Sequence, residues 1–189
     1  MHIWFGLYHI VFIVLLLLTT VLRRGEHSRQ AVESFSEAFW NTVKVVTVFT
    51  LAHSVTLSLA ALDLVSLNTS IVETIIALSI VVVAVNNVFP KYRSHTWFLI
   101  LLFGLFHGLG FASVLGDLQF RNTFIERILL LFNVGVELGQ LFIVMILFPI
   151  LFFLSKRVPY QQMVVVPASI VAGGIGLFWV VERSGLISS

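Results

Sequence analysis

The chain has 189 residues, 59% of them hydrophobic and only 11% charged, with a formal net charge of +2 and a mean hydropathy of +1.05. That composition excludes a soluble globular domain and a nucleic-acid surface, because the few charges cluster between apolar runs of the length that a membrane-crossing helix needs, about 20 residues. Cysteine does not occur, which rules out disulfides, thiolate metal sites and a cysteine nucleophile.

In chain order, the first apolar run is predicted to cross the membrane over about residues 3 to 22. It lacks a basic N-terminal region and a small-residue cleavage site, and Arg23 and Arg24 follow it, so it reads as a retained helix and not as a secretion signal. It opens with HIWFGLYH, in which His2, Gly6 and His9 fall on one narrow stripe at about 100° per residue. The stretch 23 to 41, RRGEHSRQAVESFSEAFWN, carries mixed charge. Two readings stand: a short interfacial helix turning Phe35, Phe39 and Trp40 to lipid, or a solvated connector.

The second crossing, 42 to 63, carries Thr50, His53 and Thr56 at three-residue spacings, a polar stripe on an apolar helix. In the third, 70 to 89, Glu73 lies one turn from one end and Asn86 and Asn87 at the other. The fourth, 96 to 115, brackets His107 between Gly104 and Gly108, a GxxxG pair that permits close helix approach, the packing role also expected of Gly6. The fifth, 125 to 153, bears Asn133, Glu137 and Gln140 at i, i+4 and i+7, and is longer than one straight crossing requires, which implies tilt, a kink near Pro149 or an extension. Pro159 and Pro167 flank the start of the sixth, 162 to 182.

The expected fold is all-α, a polytopic membrane protein whose single transmembrane domain spans residues 1–189 as a bundle of six helices. Continuous apolar runs exclude a barrel, whose strands alternate. Arg23, Arg24, Arg29, Lys91, Arg93, Lys156 and Arg157 occupy alternate loops, against Arg121, Arg127 and Arg183 in the others. That bias puts both termini outside.

The opening motif recurs. FGLYH at 5–9, FTLAH at 49–53 and FGLFH at 103–107 share Phe-x-Leu-x-His and fall in three different helices. A rise of 1.5 Å per residue places His9 about 9 Å and His53 and His107 about 12 to 15 Å below the outer surface, so the three could meet in the outer half. Glu137, a carboxylate near mid-bilayer, requires a partner, water, a cation or a proton. Intramembrane His, Asn and Thr also serve simply to bond helices together. Imidazoles with a carboxylate favour a divalent transition metal over a harder ion.

HIWFGLYH resembles the H-P-x-x-G-x-D-H motif in the first helix of the HupE/UreJ family of membrane proteins: His2, Gly6 and His9 match, Ile3 replaces Pro and Tyr8 replaces Asp. TVFTLAHSVTLSLAAL, VETIIALSIVVVAVNN, FGLFHGLGFASVL and FNVGVELGQ are similar to the second branch of that family, in order and across nearly the whole chain. Characterised members of the family are associated with nickel or cobalt uptake, so the resemblance implies a metal permease. A Tyr phenol, with a pKa of about 10, supplies neither the charge nor the ligand that the family's Asp would.

The expected function is thus uptake of a divalent transition metal (Ni, Co or Zn) through a bacterial inner (plasma) membrane, with His9, His53, His107 and Glu137 as the metal site. His2, Glu73, Thr50, Asn133, Gln140, Asn86 and Asn87 would form the path or the groups around the ligands, with Glu73 attracting cations at its mouth. Nothing resembles a nucleotide-binding motif. The expected partners are the lipid bilayer, the metal ion, and further copies of the chain or a larger membrane complex, without nucleic acid. Two other classes use the same residues: a membrane-embedded metal-dependent hydrolase, in which three imidazoles hold zinc and Glu activates water, and a noncatalytic subunit of a larger complex. A rhomboid-like protease fits less well, since GFAS at 110–113 lacks the G-x-S-G motif and the sixth helix has no His.

Overall fold

A computed structural model of the protein describes residues 3–24, 29–62, 64–89, 96–116 and 125–184. Its helices are α1 (Ile3–Thr20), α2 (Phe35–Ala61), α3 (Thr69–Val88), α4 (Thr96–Gly116), α5 (Ile125–Ser155) and α6 (Val166–Arg183), with a short antiparallel ribbon of β1 (Leu22–Arg24) and β2 (Arg29–Ala31) between α1 and α2. Among the described residues, four helical segments are long and apolar enough to cross a membrane, 35–60, 69–88, 134–155 and 161–183, and two shorter apolar ones cover 6–20 and 97–110. The bundle is apolar outside: Leu51, Val55, Phe98, Phe142, Phe153 and Phe178 are exposed, whereas His9, Thr50, His53, Ser79, His107 and Gln140 are buried. That inversion suits a lipid surround and not water.

The connector after α1 is neither a separate interfacial helix nor a plain loop, although Phe35, Phe39 and Trp40 do lie exposed on the first turns of α2. Residues 22–24 and 29–31 pair as a ribbon, with Leu22 opposite Ala31, and the Val32 amide donates to the Val21 carbonyl at 2.9 Å, with both valines in the core. Helix α2 then begins seven residues earlier than 42, because Ser34 caps it: the Ser34 hydroxyl accepts from the Glu37 amide at 3.4 Å. Ser-x-x-Glu is the capping-box spacing. Phe35, placed on α2 by this start, packs edge-on to Phe148 and Phe152 of α5. Replacing Ser34 with Ala is expected to lower stability in detergent by about 1 kcal/mol, read as a lower midpoint of thermal unfolding followed by circular dichroism.

Helix α5 continues through Pro149 to Ser155 as one helix of 31 residues. Between Pro159 and Pro167, residues Gln161–Val165 form a π-helical turn that runs directly into α6. The wide turn accommodates Pro167, which brings no amide proton to the helical ladder.

Two helix pairs make the core, and α1 lies against both. Helices α2 and α4 run parallel. A Cβ on Gly104 would stand 2.8 Å from Ala52 Cβ and 2.9 Å from the Phe49 carbonyl oxygen, and one on Gly108 would collide with Thr56 Oγ1 and the His53 carbonyl oxygen. The Thr56 hydroxyl donates across this seam to the Leu105 carbonyl at 2.7 Å. Helices α3 and α6 run antiparallel, with Gly173 against Ala84 and Gly176 against Ile80.

At the ribbon end, Asn87 donates its side-chain amide to the Leu15 carbonyl at 3.0 Å and accepts through its own carbonyl from Gln161 at 2.8 Å. Asn87 thereby ties α3 to α1 and to the start of α6, and half-buried Asn86 lies beside it. At the opposite end Glu73 and Arg183 form an ion pair at 3.1 Å.

Candidate metal centre

His9, His53 and His107 come from α1, α2 and α4, and all three are buried. They lie six, eight and nine residues from the helix ends remote from the ribbon, which at 1.5 Å per residue is about 9 to 14 Å of depth. The parallel seam of α2 and α4 sets His53 and His107 level, because Phe49 faces Gly104 and His53 faces Gly108. Antiparallel α1 brings His9 to the same level from its own N-terminal half. The His9 ring centroid is 5.3 Å from that of His53 and 5.6 Å from that of His107. Imidazoles that share one metal through bonds of about 2.0–2.1 Å have centroids roughly 5 Å apart. Phe12 and Phe49 wall the cluster, with Phe12 4.7 Å and Phe49 5.3 Å from the His107 ring.

The hydrogen bonds fix where two of the lone pairs are. His107 Nδ1 lies 2.8 Å from the Phe103 carbonyl oxygen; a carbonyl has no proton to give, so Nδ1 carries the hydrogen and Nε2 the lone pair. Holding an imidazole by its second nitrogen in this way is typical of metal ligands. His107 Nε2 is buried with no hydrogen-bond partner. His9 Nε2 faces Gln140 Nε2 at 2.6 Å, and the amide nitrogen can only donate, so His9 Nε2 is the acceptor. The other end of that amide, Gln140 Oε1, accepts from the Thr50 hydroxyl at 2.5 Å.

Gln140 is thus the fourth member of the buried cluster, and Glu137 is not: it lies exposed on α5, one turn nearer that helix's N-terminus. Among the described residues, no group of three or more His, Asp or Glu side chains is arranged to hold an ion in this state. The rings meet edge to face, at 67° and 66°, and the His9 lone pair is engaged by Gln140. Between Gln140 and the ribbon end lies a small apolar cavity lined by Ile13, Leu17, Val46 and Phe49.

The remaining expected site residues lie elsewhere. His2 lies outside the described residues, as does the side chain of Asn133 on α5. Glu73, expected to draw cations at an open mouth, has its carboxylate engaged by Arg183. Asn87 serves the helix junction described above. Gly6 is not at a close approach, since a Cβ there would meet nothing within 4 Å.

The model of the family described as HupE / UreJ protein matches residues 1–183. The chain belongs to the HupE/UreJ family. No curated protein and no solved structure matches it.

Within this HupE/UreJ chain the replacement of the motif's Asp by Tyr8 has a structural reading. Tyr8 is about 100° around α1 from His9, so it faces the other helix pair. Its ring packs edge-on to Trp179 of α6 at 4.3 Å, within electrostatic reach of Arg183 and Glu73. Position 8 thus turns away from the histidine cluster. Sequence reasoning had no sign of the Glu73–Arg183 pair, whose members lie 110 positions apart, but Gln140 was visible as the last polar residue of the α5 stripe.

Proposed function

We propose that the protein is a permease of the bacterial inner membrane that takes up a divalent transition metal of the nickel or cobalt class, crossing the membrane six times with both termini outside. Membership of the HupE/UreJ family supports metal transport. The observation that carries the site is the convergence of three buried imidazoles from three helices, with the His107 Nε2 lone pair aligned by a backbone bond and left without a partner.

In this reading His9, His53 and His107 hold the metal in passage. Gln140 borders both the cluster and the apolar cavity on its ribbon side. Glu137 lies exposed one turn further out on α5. Membrane potential drives entry, with about 2.3 kcal/mol per charge per 100 mV. The hydrolase alternative needs a carboxylate beside a metal-bound water, and the exposed position of Glu137 disfavours it.

Purified protein in liposomes under an inward-negative potential is expected to take up Ni²⁺ or Co²⁺. The pair His53→Ala and His107→Ala should reduce the initial rate at least tenfold. Uptake equal to that of protein-free liposomes for every metal tested rejects the permease.

A further inference from the structure

We propose that Gln140 is a two-state element of the metal site: its amide closes the site when no ion is bound, and a flip of that amide turns it into the oxygen ligand. The proposal rests on the histidine cluster as a metal site and adds to it how the cluster opens.

In the closed arrangement the Gln140 nitrogen donates to His9 Nε2 at 2.6 Å and the Gln140 oxygen accepts from Thr50 at 2.5 Å. The first of these bonds engages the lone pair that His9 would offer a metal. The two ends of a glutamine amide have nearly the same shape, so a half-turn about the terminal bond exchanges donor and acceptor with almost no movement of the chain. After that half-turn the carbonyl oxygen points at the imidazoles and the nitrogen at Thr50. The His9 Nε2 lone pair is then released from the amide beside that of His107 Nε2, and the amide oxygen completes a set of imidazoles and one oxygen, a donor mix that suits a divalent transition metal.

Thr50 is suited to both states, since a hydroxyl donates or accepts. It donates to the Gln140 oxygen in the closed state. In the open state it accepts from the Gln140 nitrogen and turns its own proton to a carbonyl one turn back on α2, the bond open to any helical threonine. The buried amide therefore keeps its Thr50 bond in both states, and its bond to His9 is exchanged for one to the ion.

Co²⁺ tests this by titration of the full-length protein in detergent, since its visible d–d bands report both affinity and ligand set. Gln140→Leu should lower Co²⁺ affinity at least tenfold and shift the bands, and Gln140→Glu, which keeps an oxygen and cannot donate, should raise it. Thr50→Val should weaken binding several-fold and Thr50→Ser restore it, an effect that helix packing alone would not produce. A Leu variant that binds as tightly as the wild type with unchanged bands makes Gln140 a lid or a packing residue and overturns the proposal, as does a Glu variant that binds no tighter. If Gln140→Leu fails to fold, the Glu and Thr50 variants decide the matter by the same readout. Absence of Co²⁺ binding by the wild-type protein overturns the metal site itself, and is distinguishable because it does not depend on any Gln140 variant.

Discussion

Gly108→Ala is expected to destabilise the protein by about 3 kcal/mol or more, the upper part of the range for overpacking a close seam. The new Cβ would collide with Thr56 Oγ1 and with the His53 carbonyl oxygen. Thr56 could rotate only by giving up its bond to the Leu105 carbonyl. The His53 carbonyl belongs to the backbone and cannot move unless α2 and α4 separate. That separation would carry His53 away from His107, so metal binding should fall together with stability. Thermal unfolding in detergent, followed by circular dichroism, measures the first effect and Co²⁺ titration the second. Gly139→Ala is the control: nothing lies within 4 Å of its Cβ position, and removal of a helical glycine should be neutral or should stabilise by up to about 1 kcal/mol. Equal stability of the two variants would show that the α2–α4 seam is not as close as described.

Arg183→Ala is expected to cost about 2 kcal/mol, less than the roughly 3–5 kcal/mol of breaking a fully buried pair, because both side chains keep some exposure. The pair measures 3.1 Å, with side-chain exposures of 17% for Arg183 and 12% for Glu73. Its loss would leave the Glu73 carboxylate one turn inside α3 without its partner. Glu73→Gln should destabilise less, since the amide is neutral, and the double variant should cost less than the sum of the two singles. Because Glu73 is engaged by Arg183 and not directed at the histidines, none of these variants should change Co²⁺ affinity once the protein is folded. A Glu73→Gln variant with unaltered stability and weakened metal binding would return Glu73 to the role of a cation-gathering mouth.

Much of the scaffold was legible because its signals are local. Long apolar runs determine helices where a bilayer removes every other backbone partner, and the observed helices fall within a few residues of those runs except at α2. There too the signal was present: Ser34 and Glu37 have the capping-box spacing ahead of the apolar run, and a hydropathy reading passes over it because the first turn of α2 is polar. The pairing of 22–24 with 29–31 had no such signal. It is flanked by Val21 and Val32, which are buried and bonded to each other through the backbone.

The site was legible only in part, and Glu137 and Gln140 show why. Three residues apart on a helix, they are separated by about 60° around its axis, so both belong to one polar stripe. Which edge of a stripe is buried depends on the neighbouring helix. The structure buries Gln140 and leaves Glu137 outside. Tyr8 and His9 are the same lesson in adjacent residues: one faces α6 and the other the histidines of α2 and α4.

By itself, then, the sequence determined the membrane class, the helical content, the recurring Phe-x-Leu-x-His and the glycine pair around His107, because composition, period and steric size act within one segment. Tertiary structure alone decided that the three histidines meet, that Gln140 closes on His9, and that Glu73 is neutralised by Arg183. Those facts depend on rotation and depth of separate helices relative to one another, which no single segment encodes.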